Sequence, residues 1–285
     1  MATPEILLTE EQRLEFTQIS PNINEWEIAK YYTFSEQDKE IINRHRRDYN
    51  RLGFAVQLGL LRNPGWALNN VSHIPDLVLE YIAEQLNIDP KEMTQYAQRE
   101  NTRLEHLQEI REEYGYRNFI EQDEESLFSI LLSAAIENDN IINLMKTAIE
   151  TLRKQKIILP GITTIEKFVH DARIKAEDTI IEMINSTITD YQKSLMNRLI
   201  NAESEETITK LAWLRGDFGY PSPKAFLEVI ERLEEIRKLN LNLNIDKLHP
   251  NRIRQLSRLG KKYEPHSFRR FDENKRYAIL AIYMN

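Results

Sequence analysis

The run from Tyr81 to Arg103 constrains the fold more than any other, because it specifies two helices and the tight turn between them. Ala83 is small where two helices cross closely. Asn87, four residues on, tolerates the left-handed backbone that a tight turn needs. Asp89 is placed to cap the second helix, Pro90 suits its first position, and Glu92 completes an Asp-x-x-Glu capping box. Leu86, Ile88, Met93 and Tyr96 fall on the inward side. Lys91, Thr94, Gln95, Gln98 and Arg99 are left outside with no carboxylate among them. The pattern predicts a helix-turn-helix whose second helix, Pro90 to Arg99, reads base edges in a major groove.

The rest of the chain also reads as helix. Alternating strand patterns are scarce, and the best of them, Lys156 to Leu159, is short. Ser35 with Asp38 opens a helix expected to run to Arg47 or beyond, and Asn50 to Leu61 is apolar enough to be largely buried. Gly53 costs about 1 kcal/mol inside a helix, which a close backbone approach would justify. Ser222 and Pro223 start a helix whose stripe of Ala225, Phe226, Val229, Ile230, Leu233 and Ile236 is expected to be buried. Pro250 starts a basic helix ending at Gly260, followed by a turn and helix at His266 to Arg270. The fold class is therefore all-α, in several small helical modules. Polar joints near residues 120 and 203 divide the chain into 1–120, 121–203 and 204–285.

Composition excludes several functions. With 285 residues and no cysteine, the chain forms no disulfide, thiol nucleophile or cysteine zinc site. No apolar run approaches the roughly 18 residues of a membrane span, and the start lacks the pattern of a signal peptide, so a cytoplasmic protein without membrane contact is expected. No phosphate-binding glycine loop occurs. His73, His106, His170, His249 and His266 are scattered without metal-ligand spacing, so neither a metal nor a catalytic residue is expected here.

The net charge of −7 argues against a uniformly basic polyanion binder, yet the cations are segregated. Arg44, His45, Arg46, Arg47, Arg51 and Arg62 face the single acid Asp48 in their segment. From Asn251 to Arg276, Arg252, Arg254, Arg258, Lys261, Lys262, Arg269, Arg270, Lys275 and Arg276 stand against Glu264, Asp272 and Glu273, while acid gathers at 121–125 and 203–206. Arginines at this density suit phosphates, to which they donate forked hydrogen bonds. Arg44, Arg46, Arg47, Arg51, the two basic helices, and Arg103 with His106 beyond the reading helix are the expected DNA backbone contacts. The competing reading is a helical protein–protein scaffold whose basic faces meet an acidic partner.

Several blocks resemble a family. Arg44-x-Arg46-Arg47, Asn50 to Leu58, Leu61-Arg62-x-Pro64-Gly65, Tyr81-Ile82-Ala83-x-Gln85-Leu86, the Tyr96 to His106 block and Leu159-Pro160-Gly161-x-Thr163-Thr164 are similar to the N-terminal region of transposases of Tn-three-type replicative transposons. The stretch from Arg254 to Leu280 is similar as well, whereas Asn240 to Pro250 matches little. The resemblance implies helical modules that bind the terminal inverted repeats of the element as double-stranded DNA in a bacterial, nucleoid-associated setting. It implies a magnesium-dependent Asp/Asp/Glu strand-transfer domain much farther along a longer polypeptide. This chain would then be non-catalytic alone, with no cofactor of its own. Its partners would be DNA and the rest of the transposase, and the likeness allows a homodimer through regions outside this chain.

Overall fold

From Tyr49 to Leu61 the protein buries almost every side chain of one helix, on all sides, and unit 1 is built around it. In the computed structural model the described residues are 7–71, 73–97, 100–201, 208–217, 219–239, 245–246 and 248–285, without the side chains of 70, 97, 100 and 239. They are mainly α-helical, and they gather into two compact units. Unit 1 comprises residues up to 131 together with 140–172; unit 2 comprises 132–139 and 173–285. The expected joint near 120 lies inside unit 1, where Arg117 donates to both carboxylate oxygens of Asp123 at 2.6 and 2.7 Å. Residues 202–207, at the other joint, lie outside the described residues.

Unit 1 runs α1 (Glu10–Thr17), α2 (Glu25–Tyr32), α3 (Glu36–Asn43), α4 (Asp48–Arg62), α5 (Asp76–Leu86), α6 (Met93–Ala97) and α7 (Glu100–Tyr114), then most of α8 (Glu121–Glu137), α9 (Ile141–Lys154) and the start of α10 (Ile162–Asn185). Thr9, Asn24 and Ser35 cap the first three helices with reciprocal capping boxes. The expected helix from Ser35 to Arg47 stops at Asn43, and α4 restarts at Asp48 with Arg47 extended. No glycine or proline marks this break. The His45 ring turns inward against Phe54 and His106, with centroids 4.7 and 4.4 Å away, and that packing bends the chain.

Around α4 pack α2, α3, α5, α6 and α7. Gly53 is required by the close approach foreseen for it: a Cβ there would lie 2.2 Å from the Tyr96 ring. Gly65, at φ +106°, sits against Leu159 and accepts a 3.2 Å hydrogen bond from its amide. The Pro64-Gly65 and Leu159-Pro160 blocks therefore meet in space. Residues Arg117–Asn118 and Ile157–Ile158 form a two-stranded parallel pair, so the short strand signal at 156–159 is realised and its partner at 117 had none.

Unit 2 contains the end of α8, the remainder of α10, α11 (Asp190–Ile200), α12 (Lys210–Arg215), α13 (Pro223–Leu239), α14 (Pro250–Lys262) and α15 (Glu273–Met284). Its core joins Ile180, Ile184, Met196, Ile200, Leu211, Leu256 and Phe268 to the buried run Tyr277 to Ile282 of α15. Helix α10 ends at Asn185, and Thr189 begins α11 with a reciprocal capping box.

Helix α13 departs from expectation. Ser222 caps it as read from the sequence, but most of its apolar stripe faces outward, with Phe226 66% exposed and Ile230, Leu233 and Ile236 also exposed, while Ala225 and Val229 are half-buried. The side turned inward is the charged one. Arg232 is buried, donates to the Gly216 carbonyl and to Glu228 Oε1, and lies over the Trp213 ring, while Glu235 pairs with Lys210 of α12.

Candidate nucleic-acid interface

In unit 1 the turn of the expected helix-turn-helix forms as read. Asn87 ends α5 in the left-handed conformation at φ 54°, and the Ile88 amide closes onto Ala83 O at 3.0 Å. Asp89 caps the next turn, but through the Lys91 amide at 2.9 Å, and Glu92 instead accepts from the Gln95 side chain at 3.3 Å. The second helix opens differently from the expectation. Pro90–Glu92 is a 3₁₀ turn, and the described part of the α-helix, α6, is Met93–Ala97. Lys91, Thr94 and Gln95 are exposed; Gln98 and Arg99 lie outside the described residues.

Beneath α6 lies a buried polar chain. Gln57 Nε2 donates to the Tyr96 hydroxyl at 2.5 Å and to the Arg103 carbonyl at 3.0 Å. The Tyr96 hydroxyl in turn lies 3.0 Å from His106 Nδ1, where a neutral His106 carrying its proton on Nε2 accepts. Burial, with a further push from His45, lowers the His106 pKa to about 4, so the ring is neutral. His106 is only 5% exposed. The expected phosphate contact there is therefore corrected: the ring fills the core under α6 instead of facing solvent.

Of the expected backbone arginines, Arg44, Arg46 and Arg47 precede α4 and are exposed, whereas Arg51 lies in α4 and is half-buried. Arg44 donates to Glu113 at 2.6 Å, Arg47 to the Tyr49 hydroxyl at 2.9 Å, and Arg51 pairs with Asp48 one turn earlier on the same helix. Arg103 is half-buried.

In unit 2, α14 presents a different surface. Its sequence, Pro-Asn-Arg-Ile-Arg-Gln-Leu-Ser-Arg-Leu-Gly-Lys-Lys, contains no acid. Leu256 and Gly260 face the core, and a Cβ on Gly260 would lie 2.4 Å from Tyr283 Cβ of α15. Asn251, Arg254, Arg258, Lys261 and Lys262 are exposed. Among the described residues, none of the four cations is paired with a carboxylate. Arg269 and Arg270, in the 3₁₀ turn Pro265–Arg270, are exposed too, and Arg269 donates to the Ile200 carbonyl at 3.4 Å. The basic helix runs two residues past Gly260, and the expected helix at His266 to Arg270 is that 3₁₀ turn.

Arg252, expected on phosphate, is 5% exposed and points into the unit. It donates to the Ala135 carbonyl at 2.6 Å and to Gln255 Oε1 at 2.6 Å, and forms a 3.3 Å ion pair with Asp139. A buried guanidinium needs such partners, and these hold its head away from any ligand outside. At the other end of the helix, Arg215 donates to the Gly260 and Tyr263 carbonyls and lies 4.8 Å over the Tyr283 ring. These two arginines hold both ends of α14.

A family model described as a domain of unknown function, DUF4158, matches residues 7–172, more than half of the chain. The chain belongs to this family. The DUF4158 match ends where unit 1 ends, at Ala172. Similarity to transposases continues beyond it. The chain is 47% identical over 281 residues to the transposase for transposon Tn1546 of Enterococcus faecium, covering 98% of this chain and 28% of that protein. It is 34% identical over 256 residues to the Tn501 transposase of Pseudomonas aeruginosa, covering 90% of this chain and 26% of that protein. It is 27% identical over 285 residues to the gamma-delta transposase of Escherichia coli strain K12, covering 99% of this chain and 28% of that protein. The likeness to Tn-three-type transposases read from the sequence therefore holds, and the chain spans about a quarter of the length of the curated relatives it matches.

Sequence reasoning about this DUF4158 member missed three residues. Arg215 and the core-facing role of Arg252 carry no local signal, because their partners are remote in sequence: Ala135 is 117 positions from Arg252. Asn251 was legible, since a helical wheel of 250–262 places it beside Arg254 and Arg258. Among the described residues no group of three or more His, Asp or Glu side chains is placed to hold a metal ion, and no helix is long and apolar enough to cross a membrane.

Proposed function

We propose that this chain binds double-stranded DNA, at the terminal inverted repeats of a transposon, as the N-terminal DNA-binding part of a transposase for replicative transposition. The observation that carries this reading is the face of α14, which exposes Arg254, Arg258, Lys261 and Lys262 without a carboxylate on the same helix. Four cations along one ridge match the regular negative charge of a duplex, and their counterion release makes affinity fall with salt. Arg46 and Arg47 add a second exposed cationic site in unit 1, which also exposes Lys91, Thr94 and Gln95 of the helix-turn-helix segment. Similarity to transposases over nearly the whole chain supports the same reading.

Strand transfer with magnesium is assigned to a domain outside this chain, as are contacts that make a homodimer. The working compartment is the bacterial cytoplasm, on the nucleoid. Gel-shift titration tests the proposal, using a duplex of the terminal inverted repeat against a scrambled duplex at two salt concentrations. Tighter, salt-sensitive binding to the repeat is expected; equal affinity for both overturns specific recognition. Magnesium-dependent cleavage by the chain alone would overturn its non-catalytic assignment.

A second reading, a protein–protein scaffold, is favoured by one observation, the outward apolar stripe of α13. It predicts a stable oligomer by light scattering and no salt-dependent DNA binding.

A further inference from the structure

We infer that α14 is the base-reading element of unit 2, with Asn251, Arg254 and Arg258 on base edges in a major groove and Lys261 and Lys262 on phosphates. The assignment rests on the DNA-binding reading above. It also moves base recognition away from α6 and gives α14 a role beyond anchoring the backbone.

Geometry is the first support. At 100° per residue, Asn251, Arg254, Arg258, Lys261 and Lys262 fall within an arc of about 100°. Thirteen residues make a rod about 19 Å long, and a major groove about 12 Å wide admits a helix of that kind lengthwise. The residues at the amino end of a groove-bound helix are the ones that come nearest the base edges, and Asn251 and Arg254 occupy that end.

Chemistry is the second. Asparagine pairs in bidentate fashion with adenine N6 and N7, and arginine with guanine O6 and N7. The lysines, compact charges on flexible stems, suit phosphate oxygens better than planar base edges, and they sit at the far end. No carboxylate on α14 opposes the approach of the backbone.

The third support is how firmly the helix is held. Arg252 ties its first turn to Ala135 and Asp139, Arg215 ties its last to the Gly260 and Tyr263 carbonyls, and Gly260 lets α15 approach closely. A reader fixed before binding loses less ordering entropy when it docks. By contrast the Gln95 side chain of α6 already donates to Glu92, a carboxylate beside the would-be groove.

The experiment selects duplexes from a randomised pool with the full chain, then permutes the preferred sequence one base pair at a time. Arg254→Ala and Arg258→Ala should each weaken the preferred duplex roughly 5- to 140-fold. Each should also erase the penalty for permuting one base pair while leaving the others. Lys261→Ala should weaken preferred and scrambled duplexes alike and flatten the salt slope by about one. Double-stranded RNA of the preferred sequence should bind worse, because side chains cannot read its deep, narrow major groove. Uniform weakening by Arg254→Ala and Arg258→Ala across all sequences overturns base reading by α14 while DNA binding stands. Base reading by α14 is equally overturned if Gln95→Ala alone relaxes the preference, or if RNA binds as well as DNA. Absence of salt-dependent binding to any duplex by the unsubstituted chain overturns the DNA-binding reading itself.

Discussion

The segment from Arg44 to Arg51 and the helix α14 are both arginine-rich, yet the protein treats them differently. In the first, Arg44 is paired with Glu113, Arg51 with Asp48 and Arg47 with the Tyr49 hydroxyl, so at these three a ligand must compete for partners already in place. In the second, two buried or half-buried arginines, Arg252 and Arg215, bond carbonyls within the unit, and among the described residues the outward cations pair with no acid. Cation density in a sequence thus measures neither exposure nor availability. What matters is which cations the fold has already neutralised.

Four measurements put this contrast at risk. The largest effect concerns the support of α14. Leu256→Ala should cost about 2–5 kcal/mol, as a buried leucine truncation does, read as a lowered midpoint in urea unfolding of unit 2. A cost near zero would mean that α14 is not held as described, and the contrast with the unit 1 arginines would lose its basis.

The next effect is acid sensitivity of unit 1, whose arginine segment rests on His45 and His106. The folded pKa of His106, about 4, lies below its unfolded value of about 6.5. Stability is therefore complete above pH 6.5 and falls as the pH drops towards 4, by on the order of 3 kcal/mol at most. The depressed carboxylates Asp38 and Asp123 lose their contribution only at lower pH, once the pH falls through their lowered values. Urea midpoints of the unsubstituted chain and of His106→Gln between pH 7 and 4 would show it. A decline that survives the substitution belongs to another group.

Smaller is the difference between cations. Arg258→Ala should reduce DNA affinity more than Arg44→Ala, because Arg44 must give up its pair with Glu113 before it reaches a phosphate and so contributes less to the bound state. Fluorescence anisotropy with one duplex at several salt concentrations compares them directly; equal losses would show that the Glu113 pair does not restrain Arg44.

The smallest effect is expected on α13. Leu233→Ala should change stability by no more than about 0.5 kcal/mol, since the side chain is already exposed. A cost like that of Leu256→Ala would show that the stripe is covered in solution.

Much of this architecture was legible in the residues. The left-handed Asn87, the Asp89 cap, the Ser222 start of α13, the buried run around Phe54 and the close approach at Gly53 all follow from local stereochemistry. Facts that depend on distant partners were not legible. The break at Arg44 to Arg47 is set by where the His45 ring packs, and the burial of Arg252 by Asp139 and Ala135. The stripe on α13 was read correctly as apolar and wrongly as inward, because periodicity reveals that a helix has two faces without saying which of them the neighbouring elements will cover.

The outward stripe of α13 also governs how the protein behaves in salt. Raising the ionic strength loosens a cationic ridge from a polyanion, but it also screens the net negative charge that keeps copies of the chain apart and strengthens adhesion between greasy surfaces. The wash that strips this protein from nucleic acid is therefore the one in which its molecules will begin to clump.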